Sequence, residues 1–219
     1  MIRKILVGLS GCILVFSAWG NTIVFDTLGS GGTYGQGVGY AVGFAGGFGN
    51  PYETAAQFTA ETSGIVATLK LGLTFCPECG PAGSANVFLY ADASGSPDNA
   101  NQTLIGTAVP NGVFGATNSR LTTVNVTADI SVTQGSTYWL VLKPVNPDQS
   151  DVWNTSLASI GTVDQSTNDS TWYVQHGADD LLPAFRIMTS IPDSGATFLL
   201  MLGSIGAFLV HQTLLHKRG

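Results

Sequence analysis

Residues 65–75 read IVATLKLGLTF, and this stretch decides the fold class because its apolar side chains recur at every second position. Successive side chains of a β-strand point to opposite faces, so the pattern predicts a strand with one apolar face and one mostly polar face. The apolar face carries Ile65, Ala67, Leu69, Leu71, Leu73 and Phe75.

Similar short runs recur along the chain, separated by clusters of Gly, Pro, Asn, Asp and Ser such as residues 92–101 and 144–151. We expect strands at residues 22–26, 85–91, 103–109, 121–128, 137–143, 171–174 and 184–189. No helical period is sustained outside the two ends of the chain. Many short strands with turn signals between them predict an all-β fold, an antiparallel β-sandwich of the jelly-roll or carbohydrate-module kind.

Composition limits the function classes. The chain has 219 residues and a formal charge of −6, with 44% hydrophobic and only 10% charged residues. Residues 21–190 contain four basic residues against thirteen acidic ones, which gives this region a charge of −9. Because nucleic-acid binding depends on a basic surface that meets the phosphates, this balance argues against a nucleic-acid partner.

The first twenty residues have the zones of a secretory signal peptide. Arg3 and Lys4 give a positive start, residues 5–16 are apolar, and Ala18 and Gly20 place small residues before a cut at Asn21. The apolar run is too short for a stable membrane anchor. We therefore predict a signal peptide at 1–20, with transient use of the Sec translocon. Residues 9–12, LSGC, match the motif at which lipoproteins are cut and acylated. Lipidation of Cys12 is therefore the alternative to cleavage before Asn21.

The last thirty residues also fall into three zones. Residues 191–195 form a polar breaker, residues 196–215 are mostly apolar, and residues 216–219 are basic. Twenty residues at 1.5 Å rise span about 30 Å, the thickness of a bilayer core. Basic residues after the span hold that end in the cytoplasm. We predict a β-sandwich domain at 21–190 outside the membrane, followed by a transmembrane helix and a cytoplasmic tail.

The breaker, span and basic end resemble the PEP-CTERM sorting signals in their VPDSG variant. The matching motif is Ile191, Pro192, Asp193, Ser194 and Gly195, with Ile191 where valine is usual. The family occurs in Gram-negative bacteria that secrete exopolysaccharide. The resemblance implies an exosortase, a membrane-embedded cysteine transpeptidase-like enzyme, as a transient partner. It also implies a route from the inner membrane to the cell surface or the medium.

The region between the ends resembles the "choice-of-anchor R" domain of exported bacterial proteins. The phrases that carry this resemblance are AQFT at 56–59, SG at 63–64, VFLYAD at 87–92, GSP at 95–97, GSTYWLVL at 135–142, Trp153 and PAFR at 183–186. It implies a role in the cell envelope. No activity or ligand is established for this family, so the resemblance implies none.

Cys76 and Cys79 follow the clearest strand, separated by Pro77 and Glu78. In an exported protein, two cysteines this close favour a local disulfide. A zinc site needs about four ligands, and outside the ends only His176 is added to these two. A redox motif would need to open a helix beside a parallel strand. Metal or redox use and two free thiols are the alternatives.

Three aromatic residues, Trp153, Trp172 and Tyr173, are candidates for a sugar-stacking platform. Aromatic faces bind the apolar faces of sugars within a polar rim. The alternative is that they close the sandwich core, the usual place of strand aromatics. We also expect the glycine-rich residues 29–49 to form a long irregular loop or a loosely packed edge strand, with a flexible aromatic association surface as the alternative.

The remaining polar candidates do not form a recognisable catalytic centre. Asp148 with Asp151, and Asp92 with Asp98, are possible calcium ligands, but the dense acidic loop pattern is absent, so turns are the simpler interpretation. The chain has no nucleophile motif that would make His176 a catalytic base. Nothing in the sequence indicates a pair of carboxylates for glycoside hydrolysis.

The sequence therefore predicts a non-enzymatic envelope or matrix protein with no catalytic residue, metal or cofactor. The first alternative is a carbohydrate-binding module for exopolysaccharide or biofilm matrix, and the second is an extracellular hydrolase.

Overall fold

A computed structural model describes residues 20–43, 51–118, 120–167 and 171–191. Apart from one short 3-10 turn at Ser30–Gly32, the regular structure in these ranges is all strand, which confirms the predicted all-β class. The strands are β1 Gly20–Asp26, β2 Gly39–Gly43, β3 Glu53–Thr59, β4 Gly64–Leu71, β5 Leu73–Phe75, β6 Ala85–Asp92, β7 Pro97–Ala108, β8 Thr122–Val124, β9 Ser131–Val132, β10 Thr137–Pro144, β11 Ser150–Ser166, β12 Tyr173–Pro183 and β13 Phe185–Ile191.

The strands form two sheets within one compact unit, Asn21–Ser190. The smaller sheet has the order β1-β13-β4-β8, with β9 also pairing with β4. The larger sheet has the order β12-β11-β3-β10-β6-β7, with β2 and β5 also pairing with β11. β10 is antiparallel to both neighbours, and Trp139 lies opposite Gln57 on β3 and Tyr90 on β6. The antiparallel sheets are those of a β-sandwich.

The sandwich core lies where the two inner faces meet. Alternate residues of each strand enter it, as the two-residue period of a strand requires. Leu69 from β4 and Phe185 from β13 pack in one cluster with Leu140 from β10, and all three are fully buried. Phe58 lies at the aromatic centre of this cluster. Its ring is 5.4 Å from that of Phe25, 5.9 Å from that of Phe185 and 5.8 Å from that of Tyr138.

The chain changes sheets at Gly72, in the middle of the stretch that the sequence presents as one strand. β4 belongs to the smaller sheet and β5 to the larger one. The Gly72 N–H donates to the Ala184 carbonyl at 2.9 Å. A Cβ at Gly72 would lie 3.1 Å from both the Ala184 Cβ and the Tyr34 ring. Glycine therefore allows the close approach at which the chain crosses over.

Several strands differ from the prediction. β3, Glu53–Thr59, and β9, Ser131–Val132, were not predicted, and β12 and β7 are longer than expected. β2, Gly39–Gly43, lies within the glycine-rich segment expected as an irregular loop or a loosely packed edge strand, and its Tyr40 lies opposite Trp153. The rest of that segment after residue 43 lies outside the described residues. β11 has 17 residues and was not predicted. Its first part pairs with β2 and β5, and its later part with β3 and β12. Serine, threonine and glycine in β11 hide the alternation that marks the other strands.

Candidate functional site

The structure separates the three aromatic residues that were candidates for one sugar-stacking platform. Trp153 is fully buried in the sandwich core, where its Nε1–H donates to the Ala184 carbonyl at 3.1 Å. Trp172 is half-buried, and Tyr173 is 55% exposed. The inclusion of Trp153 was therefore wrong, because a side chain without exposed surface cannot stack on a sugar. Tyr173 alone of the three presents a largely open ring.

Trp172 instead closes a second aromatic cluster, which lies on the outer face of the larger sheet. Trp139 and Val141 alternate along β10 with core residues, so they point to the face opposite the core. They are fully buried together with Tyr90. The Trp172 ring meets the Tyr90 ring edge-on at 6.2 Å, and its Nε1–H donates to the Asn99 side-chain oxygen at 3.0 Å.

Asp92 anchors this outer cluster. Its Oδ1 accepts hydrogen bonds from Trp139 Nε1 at 2.8 Å and from Gln57 Nε2 at 3.1 Å, and its Oδ2 accepts one from the Gly95 N–H. Burial acts to raise the pKa of Asp92, but the three hydrogen bonds outweigh it, and the pKa lies below its ordinary value. The ionised carboxylate of Asp92 therefore stabilises the position of the Trp139 indole.

Two further charged groups are buried on the outer face. Lys143 is 8% exposed, and its Nζ lies 5.1 Å from the centre of the Phe88 ring and 5.3 Å from that of Tyr90, a cation–π geometry. Asp164 lies opposite Ala55 and is fully buried, with no hydrogen bond to either carboxylate oxygen. Burial raises the pKa of Asp164 to about 6.

Of the four aspartates considered as calcium ligands, Asp92, Asp98 and Asp151 accept hydrogen bonds within the protein. Asp98 accepts bonds from the Ala100 N–H and the Asn101 amide, and hydrogen bonding of this kind holds the pKa of Asp98 below its ordinary value. Asp151 is buried and accepts a 2.6 Å bond from Gln149 Nε2. In the part of the chain that the structure describes, no three His, Cys, Asp or Glu residues come together to hold a metal ion.

The sulfur atoms of Cys76 and Cys79 lie at bonding distance in the turn that follows β5. The Cys76 N–H donates to the Ser150 carbonyl, which ties this turn to the start of β11. We expect the thiols to resist alkylation until a reductant is added.

The double change Cys76→Ser and Cys79→Ser should lower the free energy of unfolding by about 2 kcal/mol, because the closed loop is very short. Urea unfolding measures this effect, and mass spectrometry after alkylation measures the thiols. Alkylation of both residues in the unreduced protein would contradict the disulfide.

Two shallow clefts meet at Asp129, a residue that the sequence did not single out. The first lies between the sheets, has a volume of about 370 Å³, and is lined by residues of β6, β7 and β10 together with Asp129–Ser131. The second, of about 360 Å³, lies between the start of β4 and residues 126–129. An isolated aspartate in a turn carries no sequence signal, so only the fold reveals this position.

Several predictions fall outside the described residues. These are the signal peptide with Cys12, the motif residues Pro192, Asp193, Ser194 and Gly195, the apolar span and the basic tail. Ile191 is the last residue of β13. Within the described ranges, none of the structure is a helix of the length and apolar character that crossing a membrane requires. His176 lies on β12, opposite Val163.

Similarity to known proteins shows neither a family nor a function for this chain. No protein-family profile matches the chain, and no curated protein is significantly similar to it. One solved structure, titled "The crystal structure of the cysteine protease and lectin-like domains of Cwp84, a surface layer associated protein of Clostridium difficile", is similar at 13% identity with a TM-score of 0.39. The similarity covers 64% of this chain and 32% of that chain. A similarity this low supports no argument about function. Over its described residues, the chain has an all-β fold with two antiparallel sheets.

Proposed function

We propose that this protein is a non-enzymatic β-sandwich that is exported and then sorted to the cell surface or extracellular matrix of a Gram-negative bacterium. The observation that carries the proposal is the order of three zones after the last strand. A polar breaker at 191–195 is followed by an apolar stretch at 196–215 and a basic end at 216–219. Together with the N-terminal signal peptide, this order implies export by the Sec translocon and transient anchoring in the inner membrane.

The breaker has the chemistry that a processing enzyme needs. Pro192 has no N–H to donate, and Gly195 frees the backbone, so neither residue favours the outward continuation of a helix. Asp193 and Ser194 add polar groups by which an exosortase can recognise the segment. The domain ends at the motif, since β13 includes Ile191. Cleavage near the motif would therefore release the sandwich with its strands complete.

Processing is tested by producing the full chain in two hosts, one with an exosortase and one without. We expect the protein in the membrane fraction of the second host and mostly released or re-anchored at the surface in the first. Pro192→Leu combined with Gly195→Leu should restore membrane retention, because leucine favours continuation of the helix. Thr197→Ala, inside the apolar stretch, is the control that should leave processing intact. Equal retention in both hosts would refute the sorting proposal.

A second candidate function is carbohydrate binding, which would suit a protein of an exopolysaccharide matrix. The platform first predicted for it is not assembled, because Trp153 is buried in the core. The observation that favours this function now is the pair of clefts that meet at Asp129. An extracellular hydrolase receives no support of this kind, and we assign no catalytic residue.

A further inference from the structure

The two clefts form a bent surface path on both sides of Asp129. The larger sheet contributes residues of β6 and β7 and the Tyr138 ring to the first cleft, while Ser131 at the start of β9 contributes from the smaller sheet. The second cleft continues past Asp129 along residues 126–128 to Ser190 at the end of β13. Each volume falls within the range of small-molecule sites. A ligand that follows both clefts must be longer than one compact molecule.

The polar groups of the first cleft are available to a ligand. Among the described residues, the carboxylate of Asp129 and the hydroxyls of Thr103 and Ser131 make no side-chain hydrogen bond, and Asp129 is exposed. A carboxylate has two oxygens that accept hydrogen bonds, and each hydroxyl can donate or accept one. This set matches a ligand that presents several neighbouring hydroxyl groups.

The aromatic wall of the cleft is held in place before any ligand arrives. Tyr138 accepts a hydrogen bond from the Thr133 N–H at 3.0 Å, and its ring stacks on Phe58 at 5.8 Å. A fixed ring loses little conformational freedom on binding, which reduces the entropic cost of the complex. Tyr138 is half-buried and lines the first cleft. An apolar ring beside polar acceptors is the arrangement that binds sugar rings.

Charge narrows the ligand class further. The exposed carboxylate of Asp129 joins the two clefts, and the 21–190 region carries a charge of −9. Like charges across an interface oppose association, so an anionic polysaccharide is disfavoured. We propose that the clefts on either side of Asp129 bind a linear, uncharged polysaccharide, with Asp129 accepting hydrogen bonds from neighbouring sugar hydroxyls. This inference rests on carbohydrate binding as the second candidate function.

Calorimetry on the full chain tests the inference. The chain is kept in a zwitterionic detergent, which carries no sugar headgroup that could compete. The probes are cellohexaose, laminarihexaose and mannohexaose, with an anionic alginate hexamer as the contrast. We expect at least one neutral hexamer to bind with a Kd of about 1 mM or tighter, and the alginate hexamer to bind more weakly. Asp129→Ala should weaken binding about tenfold, because it removes hydrogen bonds to a charged acceptor.

Two further variants distinguish a loss of ligand binding at Asp129 from a general loss of folding. Asp129→Asn keeps the shape and one acceptor, so it should weaken binding less than Asp129→Ala does. Asp148→Ala removes an exposed carboxylate that lines neither cleft, and it should leave binding unchanged. All three variants should keep the thermal transition of the parent protein.

The possible failures can be distinguished. Neutral hexamer binding that Asp129→Ala leaves intact would overturn the cleft while carbohydrate binding stands. Tighter binding of alginate would overturn the ligand class. If none of the hexamers binds at about 10 mM, both the cleft and the second candidate function fail, whereas the sorting proposal is judged by processing alone.

Discussion

Replacing Trp153 with alanine is expected to lower the free energy of unfolding by about 3–5 kcal/mol, the range measured for large aromatic residues removed from a core. Trp153 is fully buried, and its ring centre lies 5.6 Å from that of Phe185. The change also leaves the Ala184 carbonyl without the indole N–H that it accepts at 3.1 Å. Since whole domains are stable by about 5–15 kcal/mol, this loss is a large share of the total.

Urea unfolding followed by circular dichroism measures the effect, and Trp172→Ala is the matched control. Trp172 is half-buried at the edge of the outer cluster, where it contacts Tyr90 and Asn99. Its loss should cost clearly less, about 1–2 kcal/mol for an edge-on aromatic pair and one hydrogen bond. Equal losses for the two variants would contradict the placement of Trp153 in the core and of Trp172 at a surface edge.

The protein is expected to be more stable near pH 5 than near pH 7.5, because two buried carboxyl groups resist ionisation. Burial raises the pKa of Asp164 to about 6. It also raises the pKa of Asp151 to about 6, against the opposing hydrogen bonds from Gly83 and Gln149. In the unfolded chain both groups ionise near pH 4. Between pH 4 and 6 unfolding therefore releases protons, so stability falls as pH rises through this window and is lowest above it.

Asp164→Asn isolates one of the two sources of this dependence. Asp164 makes no hydrogen bond that the substitution would break, and asparagine removes the buried charge at nearly constant shape. We expect the free energy of unfolding at pH 7.5 to rise by on the order of 2 kcal/mol, a value that already allows for some solvent screening of the charge. The gain should vanish near pH 4. Asp148→Asn, at an exposed position, should change little at any pH. A destabilised Asp164→Asn protein at pH 7.5 would contradict a buried, unpartnered carboxylate.

The strands that the sequence marks most clearly were predictable. β6 and β10 begin at the predicted residue and run one residue beyond the predicted end, because each is a short run of apolar and aromatic residues between turn residues. β3, β9 and β11 were not predicted, and β2 was expected only as an irregular loop or a loosely packed edge strand. Glycine interrupts β2, and serine and threonine fill β11, so the periodic signal of these two strands disappears although the backbone pairing persists. The crossing at Gly72 depends on Tyr34 and Ala184, which are distant in sequence.

The candidate site shows where sequence reasoning stops. The sequence cannot tell which face of a strand its aromatic residues occupy when both faces are covered. Trp139 and Trp153 look alike in sequence, yet they lie in different clusters on opposite faces of the larger sheet. Asp129 illustrates the converse case, because its position between two clefts arises from the meeting of β6, β7 and β9. Such a residue becomes a candidate only once the strands are assembled.

The intact mass of the product made in a host with an exosortase tests the sorting proposal most directly. The account predicts a mass that lacks residues 1–20 and the chain beyond the 191–195 motif, with or without an added surface anchor, and the uncut C-terminus in a host that lacks the enzyme. A lipid adduct on Cys12 would support the lipoprotein alternative at the N-terminus. A chain that keeps residues 196–219 in both hosts would contradict the account.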